Sequence, residues 1–327
     1  MIDKEKLEKI FQSFKFSGKI LNLRKIGYLQ DVIIKNDEVG CIMNVTEENA
    51  EFIERISNSL KSVLNTVDGV KKVNVVFTGI TAPKTSSVKK IKIPGIKNLI
   101  LISSGKGGVG KSTVAFLLSL LMSKNGLKVG LLDADIYGPS MPALTKRYEK
   151  PEIIEGKMIP YVFEGVKVNS VGYLIPEGKA LVWRGPMITK ALHQLLSSTD
   201  WGNLDFLIVD MPPGTGDIHL TICEKYSIDK VFMVSTPQEL SVVDVARAID
   251  MYKKLNVPIA GIIENMSYFQ DSSGQRHYLF GDDSRLKDYS EKNHIPIIAQ
   301  IPIQKNILAK DSIGNFQGLL EVIQKHI

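Results

Sequence analysis

The run GKGGVGKST at residues 105–113 constrains this chain more than any other segment, because it lies between an apolar stretch, LILISS, and a second one, STVAFLLSLLMSKNG, of helical length. It fits the pattern G-x-x-x-x-G-K-[ST] in the strand–loop–helix setting that gives the pattern its meaning. Glycines let backbone amides turn inward around phosphates. Lys111 supplies a point charge for the β and γ phosphates, and the Ser112 hydroxyl faces magnesium. The helix N-terminus adds its partial positive charge. Residues Gly105, Lys106, Gly107, Gly108, Val109, Gly110, Lys111, Ser112 and Thr113 are therefore the expected nucleotide-binding loop.

From Asn98 onward, short apolar strands alternate with helices: LILISS, VGLLDAD, FLIVDMPP, KVFMVSTP and IAGIIENM. Strands apolar on both sides belong in a mostly parallel sheet covered by helices on each face, so an α/β fold is expected, with ligands at the carboxyl ends of the strands. The first 80 residues read differently. Residues 3–14 place Leu7, Ile10, Phe11 and Phe14 at helical spacing, DVIIKNDEVGCIMNV reads as two strands around a turn, and KKVNVVF follows a second amphipathic helix with Thr46 as its expected N-cap. The expected organisation is a small α+β domain over 1–80, a lysine-rich linker over 81–97 and the phosphate-loop domain over 98–327.

The net charge of +6 directs attention to Lys84, Lys89, Lys90, Lys92 and Lys97, which crowd one segment. That segment has no aromatic side chain on which a base could stack, so it reads as a solvated tether, and no nucleic-acid partner is expected. The longest apolar run is soon interrupted by Lys124 and Lys128, and the chain starts MIDKEKLEKI, so neither a membrane span nor a secretory leader is expected. Two cysteines, Cys41 and Cys223, stand far apart without zinc-like or redox-like spacing, which excludes a disulfide framework and makes the cytoplasm the default. Each reads most simply as a small apolar residue in its element.

Two further strands end in carboxylates. LLDADIYGPS presents Asp133 and Asp135, and LIVDMPPGTGD presents Asp210 before a Pro-Gly turn. Magnesium takes hard oxygen ligands, so Ser112, Asp133 and Asp210 are the candidate donors on the metal side. Either Asp133 or Asp135 would alternatively cap the loop that follows. Lys106, the second residue of the loop, is held away from the Lys111 position by its glycine-rich turn, and a phosphate on another subunit is the natural target for its charge.

With that extra lysine, GKGGVGKST resembles the deviant Walker motif shared by the nitrogenase iron protein, MinD and ParA families. The resemblance implies that Lys106 reaches across a homodimer to the partner's nucleotide, and that Lys106, Lys111 and Asp135 are the catalytic set. It also implies that Asp135 orients the attacking water, that PPGTGD is the switch II segment whose Gly214 approaches the γ-phosphate, and that Asn265 bonds the adenine edge. The stretches DADIYGPSMP, WRGPM, DWGNLDFLIVDMPPGTGD and STPQELSVVDVARAIDMYKKLNVPIAGIIENMSYF narrow this to a resemblance to the Mrp/ApbC iron-sulfur cluster carrier ATPases. Such a protein would bind ATP and magnesium, hydrolyse ATP slowly, and pass an iron-sulfur cluster from assembly factors to apoprotein recipients. Its N-terminal part would be the small assembly domain often fused in front.

The chain departs from that pattern where cargo should bind. After NMSYF the family commonly carries C-x-x-C, and here stand Gln270, Asp271, Ser272 and Ser273, whose oxygen donors suit a soft cluster poorly. The cluster ligands are therefore unknown, with Cys41, Cys223 and His277 as the candidates within the chain. The N-terminal domain likewise reads NVTEENAEF where a cysteine and a proline are expected. Two other functions fit the same ATP dimer. One is a MinD- or ParA-like positioning switch, for which the amphipathic tail GNFQGLLEVIQKHI is the candidate membrane element. The other is a nucleotide-dependent scaffold without a cluster of its own.

Overall fold

The computed structural model describes residues 2–46, 49, 52–79, 90–174, 185–281, 284–305, 307–308 and 316–326. Trp183 and Arg184 of the WRGPM stretch, and Lys84 and Lys89 of the lysine segment, lie outside them. The chain divides into two compact units, Met1–Val88 and Lys89–Ile327.

In the first unit, Asp3 caps helix α1 (Lys4–Gln12) by accepting from the amides of Glu5 and Lys6. A short hairpin, β1 (Phe14–Phe16) and β2 (Lys19–Leu21), follows. The unit is then built on a three-stranded sheet of β3 (Leu29–Lys35), β4 (Glu38–Val45) and β5 (Lys72–Gly79). Strand β4 buries Val39, Cys41, Met43 and Val45 on one face. That face packs with Leu7 and Phe11 of α1 and with Ile53, Ile56, Leu60 and Leu64 of α2 (Ile53–Leu64). Thr46 does not cap α2. The helix starts at Ile53 with no side-chain cap bond, and Thr46 instead donates its amide to Asn49. Side-chain bonding inside the connection outcompetes the cap, as short polar side chains permit.

The second unit starts earlier than the sequence suggested. Ile91 bridges Tyr226, Ile93 is buried, and Lys97 pairs with Asp205 at 2.7 Å, so the end of the lysine segment belongs to the unit. Strand β6 (Ile96–Ser104) leads through the glycine loop into α3 (Lys111–Lys124), and β7 (Val129–Asp133) precedes the short helix α4 (Met141–Thr145). Next come a small hairpin, β8 (Ile153–Ile154) and β9 (Lys157–Met158), then β10 (Tyr161–Phe163) and β11 (Val166–Ser170). A 3-10 turn, Val171–Leu174, closes this part. The remaining elements are α5 (Gly185–Ser197), β12 (Leu204–Pro213), α6 (Asp217–Lys225), β13 (Lys230–Ser235), α7 (Glu239–Lys254), β14 (Ile259–Gln270), β15 (Arg276–His277), α8 (Ser284–Asn293), β16 (Ile297–Ile303) and α9 (Gln317–His326).

The sheet order is β10-β11-β7-β12-β6-β13-β14, with β15 and β16 both pairing with β14. Every pairing from β11 across to β16 is parallel, and only β10 and β15 run antiparallel. Its central strand shows why the apolar runs are continuous: Leu99 and Leu101 enter the core layer with α5, α6 and α7, while Ile100 and Ile102 enter the opposite layer with α3 and α9. Both faces are buried, so no polar alternation survives. Strand β6 is flanked by β12 and β13, both later in the chain, and this order collects Ser104, Asp133, Asp210 and Asn265 at one end of the sheet.

Candidate functional site

The glycine loop turns sharply at the end of β6. Gly108 and Gly110 adopt φ of +81° and +80°, a region that L side chains rarely occupy. A side chain at Gly105 would strike the Asp244 carbonyl at 2.3 Å, so α7 presses against the loop from behind. Beside the loop is a cavity of about 260 Å³ lined by Lys106 through Thr113, with Asp135, Gly138, Ser140 and Pro213 on its other side. A larger cavity, about 710 Å³, lies between β14, β16 and α9 and contains neither the loop nor Lys111.

Lys111, 6% exposed, places its ammonium 2.5 Å from Oδ1 of the fully buried Asp210 and 3.8 Å from Asp135. Oδ2 of Asp210 has no hydrogen-bond partner. Burial raises the Asp210 pKa, and the Lys111 charge opposes that shift. A buried carboxylate oxygen without a donor is costly in a finished core and fits a site completed by a bound cation and its waters. Ser112 borders the same cavity. The loop, Lys111, Ser112 and Asp210 together suit a magnesium nucleotide.

The two carboxylates that end β7 and open the loop after it separate in role. Asp133 accepts from the amides of Asp135, Ser140 and Met141 and from the Ser170 hydroxyl, at 2.9–3.1 Å. Both its oxygens are thus committed to the loop, and the expectation that it faces magnesium gives way to the capping alternative. Burial and the nearby Asp210 charge raise its pKa against these donors. Asp135 accepts from Tyr137 and Gly138 through Oδ1, and its Oδ2 faces Lys111.

The other expected residues fall in three places. Lys106 donates to Gln238 of its own chain at 3.1 Å. Gly214 has φ of +91° and gives its amide to the Ser104 carbonyl, so in this state that amide closes the switch II turn. Asn265 stands at the loop, but its side-chain amide donates to the Val109 carbonyl at 2.8 Å and abuts Gly110.

Sequence reasoning missed Gln238, Ser170 and a buried pair behind switch II. In that pair His219, 1% exposed, bonds the Tyr252 hydroxyl at 2.8 Å, and burial lowers its pKa to about 4. Nothing in local sequence marks such partners, because each comes from a different element.

Both candidate thiols are buried, each within its own unit. Cys41 and Cys223 are 0% and 1% exposed, each inside an apolar core, and burial pushes their thiols up to about 11 and about 12. Asp271 shapes the turn between β14 and β15: it accepts from the Ser273 amide and hydroxyl, the Gln275 amide and His277. Among the described residues no three His, Cys, Asp or Glu side chains gather as a metal site would require.

Residues 95–321 match the ParA family described as "NUBPL iron-transfer P-loop NTPase". The chain belongs to this family. Among the relatives of this NUBPL-type NTPase is an iron-sulfur cluster carrier protein of Rickettsia felis, 41% identical over 91% of this chain and 88% of its own. An iron-sulfur cluster transfer protein NUBPL of Dictyostelium discoideum is 44% identical over 72% of this chain and 74% of its own. A solved nucleotide-binding protein of Archaeoglobus fulgidus, in complex with ADP, superimposes with a TM-score of 0.58 at 37% identity, covering 68% of this chain and 88% of its own. The cell division ATPase MinD of Pyrococcus furiosus shares the fold at TM-score 0.51 and 20% identity, covering 71% of this chain and 100% of its own.

Proposed function

We propose that this NUBPL-type NTPase is a magnesium-dependent ATPase that works as a homodimer and carries iron-sulfur clusters to apoprotein recipients. The observation that carries the reading is the buried Lys111–Asp210 pair with one Asp210 oxygen left open, in a chain whose relatives at above 40% identity are cluster carriers. With nucleotide bound, Lys111 would turn from Asp210 to the phosphates, and Ser112 and Asp210 would hold magnesium, whose charge would offset that of the phosphates. Asp135 positions the attacking water, and Asn265 contacts the base at the loop it already braces. Lys106 leaves Gln238 for the partner's nucleotide when two subunits close. The cycle takes place in the cytoplasm, with assembly factors as cluster donors.

The positioning-switch reading loses its membrane element, because the tail helix α9 buries Leu319, Leu320 and Ile323 in the core beside α3. No helix among the described residues is long and apolar enough to cross a membrane. The scaffold reading is favoured by a specific observation, the burial of both thiols. Anaerobic reconstitution of the full chain with iron and sulfide, with and without magnesium ATP, separates the two. A carrier gains the visible absorbance of a cluster and stoichiometric iron per dimer, and loses both more readily than relatives with a C-x-x-C. A chain that takes up no iron in either condition is a scaffold.

A further inference from the structure

The loop that follows β7 is not free at its far end. Asp133 and Ser170 stand opposite each other in the β7–β11 register, and the Ser170 hydroxyl donates to Asp133 Oδ2 at 2.9 Å while accepting from the Gly172 amide at 2.9 Å. Through the same oxygen Asp133 holds the amides of Ser140 and Met141, and through the other it holds Asp135. A second link runs in parallel. Thr145 donates its hydroxyl to the Met141 carbonyl at 2.7 Å, so at 2.9 Å from it the Tyr173 hydroxyl is the donor; Thr145 and Tyr173 are 5% and 0% exposed. Between the two links Gly172 packs closely against the rings of Pro139 and Pro142. A side chain at Gly172 would lie 2.8 Å from Pro142 and 2.9 Å from Pro139.

Four donors on one buried carboxylate and a glycine-only contact make residues 133–145 and 170–173 one packed joint. Packed interfaces of this kind move as a unit or switch between discrete arrangements, because deforming them leaves buried polar groups unpaired. We propose that Asp133, with Ser170, is a positioning residue that aims Asp135 for hydrolysis, and that Gly172–Tyr173 is coupled through this joint to the nucleotide-facing loop. The role of Asp135 rests on the function proposed above.

The test compares Asp133→Asn, the milder Ser170→Ala, and Tyr173→Phe with the parent chain in steady-state ATP hydrolysis. Asp133→Asn replaces one acceptor with an N–H2 that faces amide donors. We expect its kcat to fall about tenfold or more, with KM for ATP and half-saturating magnesium within about threefold of parent, the pattern of misplacement without lost binding. Ser170→Ala and Tyr173→Phe should fall several-fold in the same parameter. If Asp133→Asn instead raises half-saturating magnesium by tenfold and recovers full kcat in excess metal, it is a metal ligand and the proposal is overturned. A parental kcat in both Ser170→Ala and Tyr173→Phe overturns it as well. Hydrogen exchange read with AMP-PNP and magnesium separates this from failure of the Asp135 assignment. Exchange at residues 171–173 should respond to nucleotide in the parent and respond less in Ser170→Ala, even if Asp135→Asn still hydrolyses ATP. An identical response in parent and Ser170→Ala contradicts the coupling.

Discussion

Two aspartates near opposite stretches of the same sheet, Asp210 and Asp271, show how a site differs from a turn. Asp210 is fully buried, its pKa is raised by that burial, and one of its oxygens has no donor. Asp271 lies in an open hairpin, accepts from Ser273, Gln275 and His277, and has its pKa lowered by the Ser273 hydroxyl and His277. The first carboxylate pairs with Lys111 through one oxygen and keeps the other open, whereas the second is satisfied by its own hairpin. The phosphate-loop end of the NTPase thus keeps a buried oxygen open, and the β14–β15 hairpin, where a C-x-x-C was expected from the resemblance, has Asp271 engaged with its own turn.

The largest effect should come from Lys111→Ala. It removes the ammonium that would face the phosphates inside a site that excludes water, so calorimetry should find nucleotide binding weakened by about two or more orders of magnitude. Binding within a few-fold of parent would put the phosphates elsewhere. The comparison sharpens with acid. His219, behind switch II, has a folded pKa of about 4 against an ordinary 6.5. Its neutral form therefore contributes stability in full above pH 6.5, and this is lost as pH falls toward 4, to an extent of about 3 kcal/mol. Asp271, lowered from 3.8, contributes in full above that pH and loses its contribution only below it. Thermal melts from pH 7.5 to 3 should thus show a first decline between 6.5 and 4 that His219→Gln reduces and Asp271→Asn leaves in place. The opposite pattern would reverse the assignment. The smallest effect belongs to Asp271→Asn at neutral pH, where hydrolysis should stay within about twofold of parent, as surface pairs contribute little. A large loss would bring the hairpin into the catalytic cycle.

How much of this was legible in sequence depended on the range of the interactions. The glycine loop, its strand and its helix are local, and GKGGVGKST together with LILISS specified them. The buried strands were legible because both faces of β6 lie in apolar cores, leaving Leu99, Ile100, Leu101 and Ile102 in an unbroken run. Asp133 was legible as a strand-end carboxylate that could cap the loop after it, but its partners Ser140, Met141 and Ser170 were not, because they come from two later elements. Thr46 misled because its sequence suits a cap, while Asn49 captured its amide. The start of the second unit was obscured by lysines, one of which, Lys97, is paired with the distant Asp205.

In the proposed ATP switch, completed between two subunits, Lys106 acts in trans after leaving the Gln238 side chain it bonds here. The most direct measurement is hydrolysis by mixed variants. Lys106→Ala should bind ATP within several-fold of parent yet not hydrolyse it, and Lys111→Ala should not bind it. Mixed in equal amounts, the two should regain hydrolysis, because the Lys111→Ala subunit lends its Lys106 to the nucleotide held by the other. Hydrolysis by Lys106→Ala alone at the parental rate, or no recovery at any mixing ratio while mixed dimers form, would contradict the account.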